Sequence, residues 1–234
     1  MAIRATWSPE GQARYSAVAI FLHWTIAALI LFNLVTGLFH EDFPRAVMAI
    51  HISSGITILA LSVVRVIWRL THRAPPFVAG LQPWERGAAH VVHFCLYAAM
   101  LLVPLSGWAM LSANPPPGSP GAAYAAAMRE HRGQASPVAA ALPPGNKAEH
   151  PAAIRPRRQT MVWWVIPLPM IAPLQEMGRT PEGVPAQHEK HEQIETFHAV
   201  GAYVILFLLV LHVAGALKHQ FYDGKREFAR MGIG

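Results

Sequence analysis

The sequence predicts an all-α membrane protein, a four-helix bundle with both termini cytoplasmic and a long periplasmic loop between the third and fourth helices. Of 234 residues, 53% are apolar and only 14% charged, whereas soluble chains carry roughly a quarter charged residues. Four apolar runs reach the length of about 20 residues that a spanning helix needs. This apolar composition excludes a largely disordered chain. A single cysteine, Cys95, excludes a secreted disulfide scaffold.

The four runs cover about residues 15–39, 46–70, 88–111 and 195–217 of a single membrane domain, 1–234. The first lacks the small-residue cleavage site of a signal peptide, so we expect it to be retained. A shorter apolar stretch, Met161 to Leu174, contains three prolines and two tryptophans. It is too short to span, and its composition favours a hairpin or short helix at the membrane–water interface.

The basic residues indicate the orientation. Only Arg45 lies between the first and second spans, and the other flanks carry the positive charge, at Arg4, Arg14, Arg73, Arg86, Lys218, Lys225, Arg226 and Arg230. The positive-inside rule therefore predicts cytoplasmic termini. Membrane topology also accounts for the net charge of +6, so we expect lipid and not nucleic acid as a partner.

The segment 113–160 holds nine of the 20 prolines together with many alanines. Such a composition cannot bury a core of its own. We expect a flexible Pro/Ala-rich insert on the periplasmic side.

Histidines inside the apolar runs are the main functional signal, because ionisable side chains in spans are rare and usually functional. Five are found: His23, His51, His93, His198 and His212. His198 and His212 are 14 residues apart, which brings them to within about 40° of one helix face at a separation of about 21 Å.

Depth along antiparallel helices predicts two pairs. His23 lies about two turns into the first helix from the cytoplasm, level with His212, and His51 lies about one turn into the second helix from the periplasm, level with His198. Two imidazoles facing each other at one depth are what the iron of six-coordinate haem b needs. Two stacked haems would form an electron path across the membrane. Gly37, 14 residues after His23, could leave room for a haem, although ordinary helix packing explains it equally well.

Other polar residues lie on the same faces. Arg65 follows His51 by 14 residues, and its guanidinium could bind a propionate of the cytoplasmic-side haem or extend to the headgroups. His219, seven residues beyond His212, could bind a quinone carbonyl and relay a proton. His90 and His93 are open to three interpretations: alternative ligands, quinone contacts or simple hydrogen-bonding groups.

The sequence contains no CxxCH for covalent haem attachment, no phosphate-binding glycine loop and no cysteine cluster. Haem would be bound non-covalently, and electrons would enter from a small donor or from another protein.

The chain resembles the bacterial cytochrome b561 family of four-helix di-haem membrane cytochromes. The resemblance is carried by YSAVAIFLHW, IHISSGITILALSVVRVIWRL, AAHVVHFCLYAAMLLVPLSGW and FHAVGAYVILFLLVLHVAGALKHQFY. It implies two non-covalent haem b groups, with His23 and His212 as ligands on the cytoplasmic side and His51 and His198 on the periplasmic side. It also implies His219 at a quinone site and a multi-pass protein of the bacterial inner membrane.

Among small stand-alone members, the resemblance implies a superoxide oxidase-like oxidoreductase that takes electrons from superoxide, or from a periplasmic redox protein, and reduces ubiquinone. The alternative is a cytochrome b anchor subunit of a hydrogenase- or dehydrogenase-type complex. A third hypothesis is a haem-free protein that conducts metal ions, and the absence of Asp or Glu deep in the predicted spans argues against it.

Overall fold

The computed structural model describes residues 14–73, 75–76, 80–134, 160–225 and 227–233. Its four long helices are α1 (Ala17–Leu38), α2 (Arg45–Thr71), α3 (Pro83–Ser112) and α6 (Val184–Leu217). A shorter helix, α4 (Pro120–Gln134), follows α3 in the chain. Between α4 and α6 lie strands β1 (Met161–Val162) and β2 (Ile166–Pro167) and a short helix, α5 (Ala172–Glu176). Single 3₁₀ turns cover His40–Asp42 and Pro181–Gly183, a π-helical turn covers Lys218–Tyr222, and α7 covers Glu227–Arg230.

Four helical segments are long and apolar enough to cross a membrane: Ala17–Leu38, Arg45–Thr71, Pro83–Ser112 and Pro181–Tyr222. Their large apolar side chains face outward as well as inward, and Phe94 of α3 is 73% exposed. A helix that is apolar on all sides in this way is suited to a lipid surrounding. The all-α class and the four predicted spans are therefore confirmed.

The chain forms two compact units, the first made of Met1–Leu105 and His198–Gly234. Its core combines Leu34 of α1, Ala99 and Val103 of α3, and Ile205 of α6. Between α1 and α2, the Asn33 amide donates a hydrogen bond of 2.7 Å to the Ser54 hydroxyl. Small and polar residues at such contacts let membrane helices approach closely and bond to one another.

Hydrogen bonds connect α2 and the C-terminal residues of this unit to the start of α1. The Ser16 hydroxyl caps α1 by accepting from the Ala19 amide and also accepts from the Trp68 indole of α2. The Trp24 indole donates to the Met231 carbonyl, just beyond α7. These bonds fix the first turns of α1, which carry His23.

The second unit is Ser106–Phe197. Its β1–β2 hairpin pairs Met161 with Pro167, and the chain after it returns to the last turns of α3. There the Trp108 indole donates to the Pro169 carbonyl over 2.8 Å, and the Ile171 amide donates to the Ser112 hydroxyl over 3.0 Å. A hairpin and a short helix are both present where the sequence predicted one or the other; their depth at a membrane surface stays a prediction.

The helix α4 differs from the prediction of a flexible insert over 113–160. Its alanines have the strongest helix propensity, and Gly121 lets α4 approach the following segment closely. A Cβ on Gly121 would lie 1.9 Å from the carbonyl oxygen of Gly178, so only glycine fits there. Residues 135–159, the rest of the predicted insert, lie outside the described residues.

Candidate functional site

Two histidine pairs lie inside the first unit. The ring centroids of His23 on α1 and His212 on α6 are 6.1 Å apart, with the ring planes at 59°. Those of His51 on α2 and His198 on α6 are 6.4 Å apart, at 69°. The helices thus bring together the same partners that helical depth predicted, and their role as haem ligands stays a prediction.

The spacing within each pair suits one metal ion between two imidazoles. An imidazole nitrogen bonds a first-row metal at about 2 Å, and the ring centroid lies roughly 1 Å behind the nitrogen, so two opposed ligands need centroids about 6 Å apart. Both pairs have this separation.

Hydrogen bonds from neighbouring helices set the tautomers of His51 and His198. His198 Nδ1 lies 3.0 Å from the Val103 carbonyl, so it must carry the proton and donate it. His51 Nδ1 lies 3.0 Å from the Thr36 hydroxyl, which itself donates to the Phe32 carbonyl and therefore accepts from His51. Both neutral rings then have an unprotonated Nε2, the form that binds a metal.

In the His23–His212 pair, His23 has a different kind of partner. Arg65 Nη2 lies 3.1 Å from His23 Nδ1, and its Nη1 donates to the Ala19 carbonyl. Because a guanidinium only donates, His23 Nδ1 accepts here and its Nε2 carries the proton. His23 can bind iron through Nε2 only if Arg65 releases Nδ1. The guanidinium thus bonds to His23 and Ala19 of α1 and lies 5.8 Å from the ring centroid of Tyr97. Arg69, one turn on, is exposed.

A cavity opens beside this pair. It is lined by His23, His212, Arg65, His93 and Tyr97, among others. Its empty space, including the open mouth, is about 560 Å³. The ring of His93 is 5.1 Å from that of His212, whereas His90 is exposed and bonds the Arg86 carbonyl. The structure thus places His93 at the cavity and His90 at an exposed position, a distinction that the sequence did not make.

The donor sets of both pairs fit haem b, and at His23–His212 the fit requires Arg65 to release His23 Nδ1. The donor set is imidazole on two sides, which is what b-type haem iron takes. At the His51–His198 pair, a Cβ on Gly37 would lie 3.1 Å from His51 Cε1, so glycine leaves room beside this ring. No corresponding contact within 4 Å surrounds Gly215, one turn from His212.

His219 lies in the π-helical turn after α6. In the described part of the chain its Nδ1 bonds Asp223 Oδ2 over 2.6 Å, and none of its hydrogen bonds goes to the four paired histidines. Sequence reasoning did not single out Asp223, Thr36 or the Val103 carbonyl. Asp223 follows His219 by four residues, a spacing that could have indicated this contact. Thr36 and the Val103 carbonyl act between helices, where no spacing within one helix indicates a contact.

Comparison with known proteins agrees with this architecture. The family model for prokaryotic cytochrome b561 matches residues 14–234. The chain is similar to a probable superoxide oxidase, CybB, of Yersinia pestis, with 30% identity over 42% of this chain and 58% of the relative. It is also similar to cytochrome b561 homolog 2 of Escherichia coli K12 (27%; 48% of this chain and 61% of the relative) and to cytochrome b562 of Cereibacter sphaeroides (33%; 40% and 63%).

The matched regions span about three-fifths of the length of these curated relatives. The family model, in contrast, covers nearly the whole chain, including all four candidate spans. The chain belongs to the prokaryotic cytochrome b561 family of membrane electron-transfer proteins and is a bacterial multi-pass membrane protein.

Proposed function

We propose that this protein is a di-haem b-type cytochrome that carries electrons from the periplasmic side of the inner membrane to the quinone pool. The observation that carries the proposal is the presence of two histidine pairs with metal-binding separation on one bundle, His51–His198 and His23–His212. His198 and His212 are about 21 Å apart along α6. Bound haem supplies a one-electron carrier at each position.

The chain's own residues orient the ligands. The Val103 carbonyl and the Thr36 hydroxyl hold the Nδ1 protons of His198 and His51, which keeps both Nε2 atoms available for iron. If His23 were to hold haem iron through Nε2, its Nδ1 would carry the proton and could not accept from Arg65. The Arg65 guanidinium would then be available to bind a haem propionate.

Superoxide is the electron donor and ubiquinone the acceptor in this proposal, with His219 at the quinone site. A relative named probable superoxide oxidase supports the donor, and the resemblance to the b561 family supports the acceptor. Enzymatic activity would then be that of a superoxide:ubiquinone oxidoreductase.

The proposal is tested by removing one histidine from each pair. We expect wild-type protein to contain two haem b groups per chain by pyridine haemochrome analysis, and His23→Ala and His198→Ala to lose different haems. Reduced-minus-oxidised spectra and redox titration distinguish the two. His90→Ala is the matched control, because His90 is an exposed histidine of α3, and it should keep both haems.

Loss of the same haem from both variants would contradict the pairing. A protein that stays colourless when supplied with haem would contradict the cytochrome function. Superoxide-driven reduction of ubiquinone, measured with the wild type in vesicles, then tests the donor and acceptor. A tightly co-purifying dehydrogenase and no activity of the isolated chain would favour the anchor-subunit function instead.

A further inference from the structure

Four charged or ionisable side chains meet at one end of α3 and α6. Lys218 Nζ lies 2.7 Å from Glu85 Oε1 and 3.0 Å from Asp223 Oδ2. His219 Nδ1 lies 2.6 Å from the same Asp223 oxygen. We name Glu85, Lys218, His219 and Asp223 the polar quartet.

Local structure explains how the quartet forms. Glu85 is the third residue of α3, and its Oε2 accepts from the Gln82 amide over 2.9 Å as in a capping box, which leaves Oε1 for Lys218. The π-helical turn presents Lys218 and His219, and Asp223 follows it directly. Gly224, with φ +63, lets the chain reverse there.

The quartet is largely shielded from water. The side chains of Glu85, Asp223 and His219 are 8%, 17% and 18% exposed, and Lys218 is 43% exposed. Shielded carboxylates are costly unless paired, and here each is paired with Lys218. Only Lys218 connects the group broadly to solvent.

The quartet is not a metal site. Ligand atoms of Glu85, His219 and Asp223 lie within 4.8 Å of one another, which would suit a cation. The Lys218 ammonium already bonds both carboxylates, so the position of positive charge is taken by the protein itself.

The quartet can take up one proton without acquiring a net positive charge. Two carboxylates and one ammonium give the quartet a net charge of −1 when His219 is neutral, and a proton on His219 neutralises it. Hydrogen bonds from His219 first, and then from Lys218, lower the pKa of the Asp223 carboxyl, so it remains an anion. Lys225 also faces Asp223 and bonds the Gly80 carbonyl.

We infer that Asp223, set by Lys218 and Glu85, is the positioning residue that keeps the proton of His219 on Nδ1 and stabilises its imidazolium form, so that His219 Nε2 donates a proton to a quinone carbonyl. This inference rests on the proposed quinone site. The arrangement is that of an aspartate orienting a histidine, in which the carboxylate stays ionised and the imidazole carries the proton.

The reaction balances with the proposed donor. Two superoxide anions each give up one electron and become O₂, and the quinone takes up two electrons and two protons as both C=O groups become C–OH. His219 gives the first proton from Nε2 and keeps the one shared with Asp223. Solvent water supplies the second proton and restores the imidazolium.

The test uses full-length, haem-loaded protein that is reduced with dithionite, freed of excess reductant and mixed with a short-chain ubiquinone. Haem reoxidation is followed by stopped-flow absorbance across pH. In wild type, the rate should fall as pH rises, because proton transfer to the quinone becomes slower. In Asp223→Asn, we expect the reoxidation rate at neutral pH to drop by up to roughly tenfold. The decline of the rate with pH should begin at a lower pH than in wild type.

Lys218→Met should have the opposite effect on the pH profile. Removing the ammonium leaves Asp223 free to stabilise the imidazolium, so the fall should begin at higher pH. Glu85→Gln should act like Asp223→Asn but more weakly, because Lys218 then neutralises Asp223 alone. Glu41→Gln and Asp42→Asn, exposed carboxylates in the first 3₁₀ turn, are the matched controls and should keep the wild-type profile.

A second readout does not depend on turnover. In protein labelled with ¹⁵N-histidine, the His219 signals are identified by their absence from His219→Gln. Wild type should show the proton on Nδ1, and Asp223→Asn should lose this preference. If Asp223→Asn fails to hold haem, the opposite shifts of Lys218→Met and Glu85→Gln still decide the question.

The inference would be overturned if the pH profiles of Lys218→Met and Asp223→Asn shifted in the same direction, or if neither shifted. The proposed quinone function would still stand in that case. Failure of haem-loaded wild type to reduce the quinone would overturn the proposed quinone function together with the inference. The two failures are therefore distinguishable.

Discussion

The Nδ1 environment of His23 differs from that of His51 and His198, and this difference sets what each ring can do. His51 and His198 donate to oxygen atoms of other helices, so their metal-binding nitrogens are available at once. His23 accepts from Arg65 and must change its hydrogen-bonding role before it can bind iron. The His51–His198 pair is therefore the more preorganised of the two.

Close packing beside His198 gives a prediction for Gly201. A Cβ on Gly201 would lie 2.5 Å from Val103 Cγ2, and Val103 is a stiff β-branched side chain. We expect Gly201→Ala to destabilise the protein by about 1–3 kcal/mol and to weaken haem retention at the His51–His198 pair. Thermal unfolding and haem content measure both effects.

The control for this prediction is Gly215→Ala on the same helix. No atom lies within 4 Å of a Cβ there, so stability should be unchanged or rise by up to about 1 kcal/mol. The double variant Gly201→Ala/Val103→Ala should recover part of the loss, because it removes the clashing methyl group. Equal stability of Gly201→Ala and wild type would contradict the predicted overlap.

Among the elements, the β1–β2 hairpin has the most strained backbone. Its turn is closed by the Val165 amide, which donates to the Val162 carbonyl over 3.1 Å. Both central residues, Trp163 and Trp164, have positive φ, at 51° and 59°. Such a turn favours Asn and Gly, and a bulky residue there costs roughly 1–2 kcal/mol. Tryptophan in this place is explained by an interfacial position in the membrane, which stays a prediction.

We therefore expect Trp164→Gly to raise the melting temperature of the protein in detergent. Trp164 is 62% exposed, so little packing is lost, and the gain should correspond to about 1 kcal/mol. Val165→Gly, at an exposed neighbour outside the positive-φ pair, should instead lower the melting temperature. A lower melting temperature for Trp164→Gly in detergent would show that its ring stabilises the fold by packing.

The same variant tests the membrane role of the hairpin. In vesicles with brominated lipids, quenching of tryptophan fluorescence should decrease in Trp164→Gly relative to wild type. Unchanged quenching would place the ring away from the lipid.

At the scale of the whole molecule, the open prediction is the orientation of the four spans. We expect alkaline phosphatase inserted between residues 135 and 159 to be active and green fluorescent protein at the C-terminus to be fluorescent, because the first works in the periplasm and the second in the cytoplasm. An inactive phosphatase insertion with a dark C-terminal fusion would reverse the positive-inside assignment. Cell fractionation and immunoblotting control for the expression of each fusion.

The membrane helices were predictable because length and hydropathy alone select segments that can cross a bilayer. The helix α4 was not, because a Pro/Ala-rich composition gives no sign that Gly121 will meet Gly178. Helical propensity was present in the alanines, but the packing that holds the helix depends on a segment more than 50 residues away.

The sequence by itself determined the four spans, the depth of each histidine and the shared face of His198 and His212, because the rise and rotation per residue are fixed within a helix. Only the tertiary structure decided which side chains meet between helices. Thr36 at His51, Arg65 at His23, and Glu85 at Lys218, 133 residues away in the chain, depend on how each helix is rotated about its axis and which helix it lies beside. Periodicity within one helix does not contain that information.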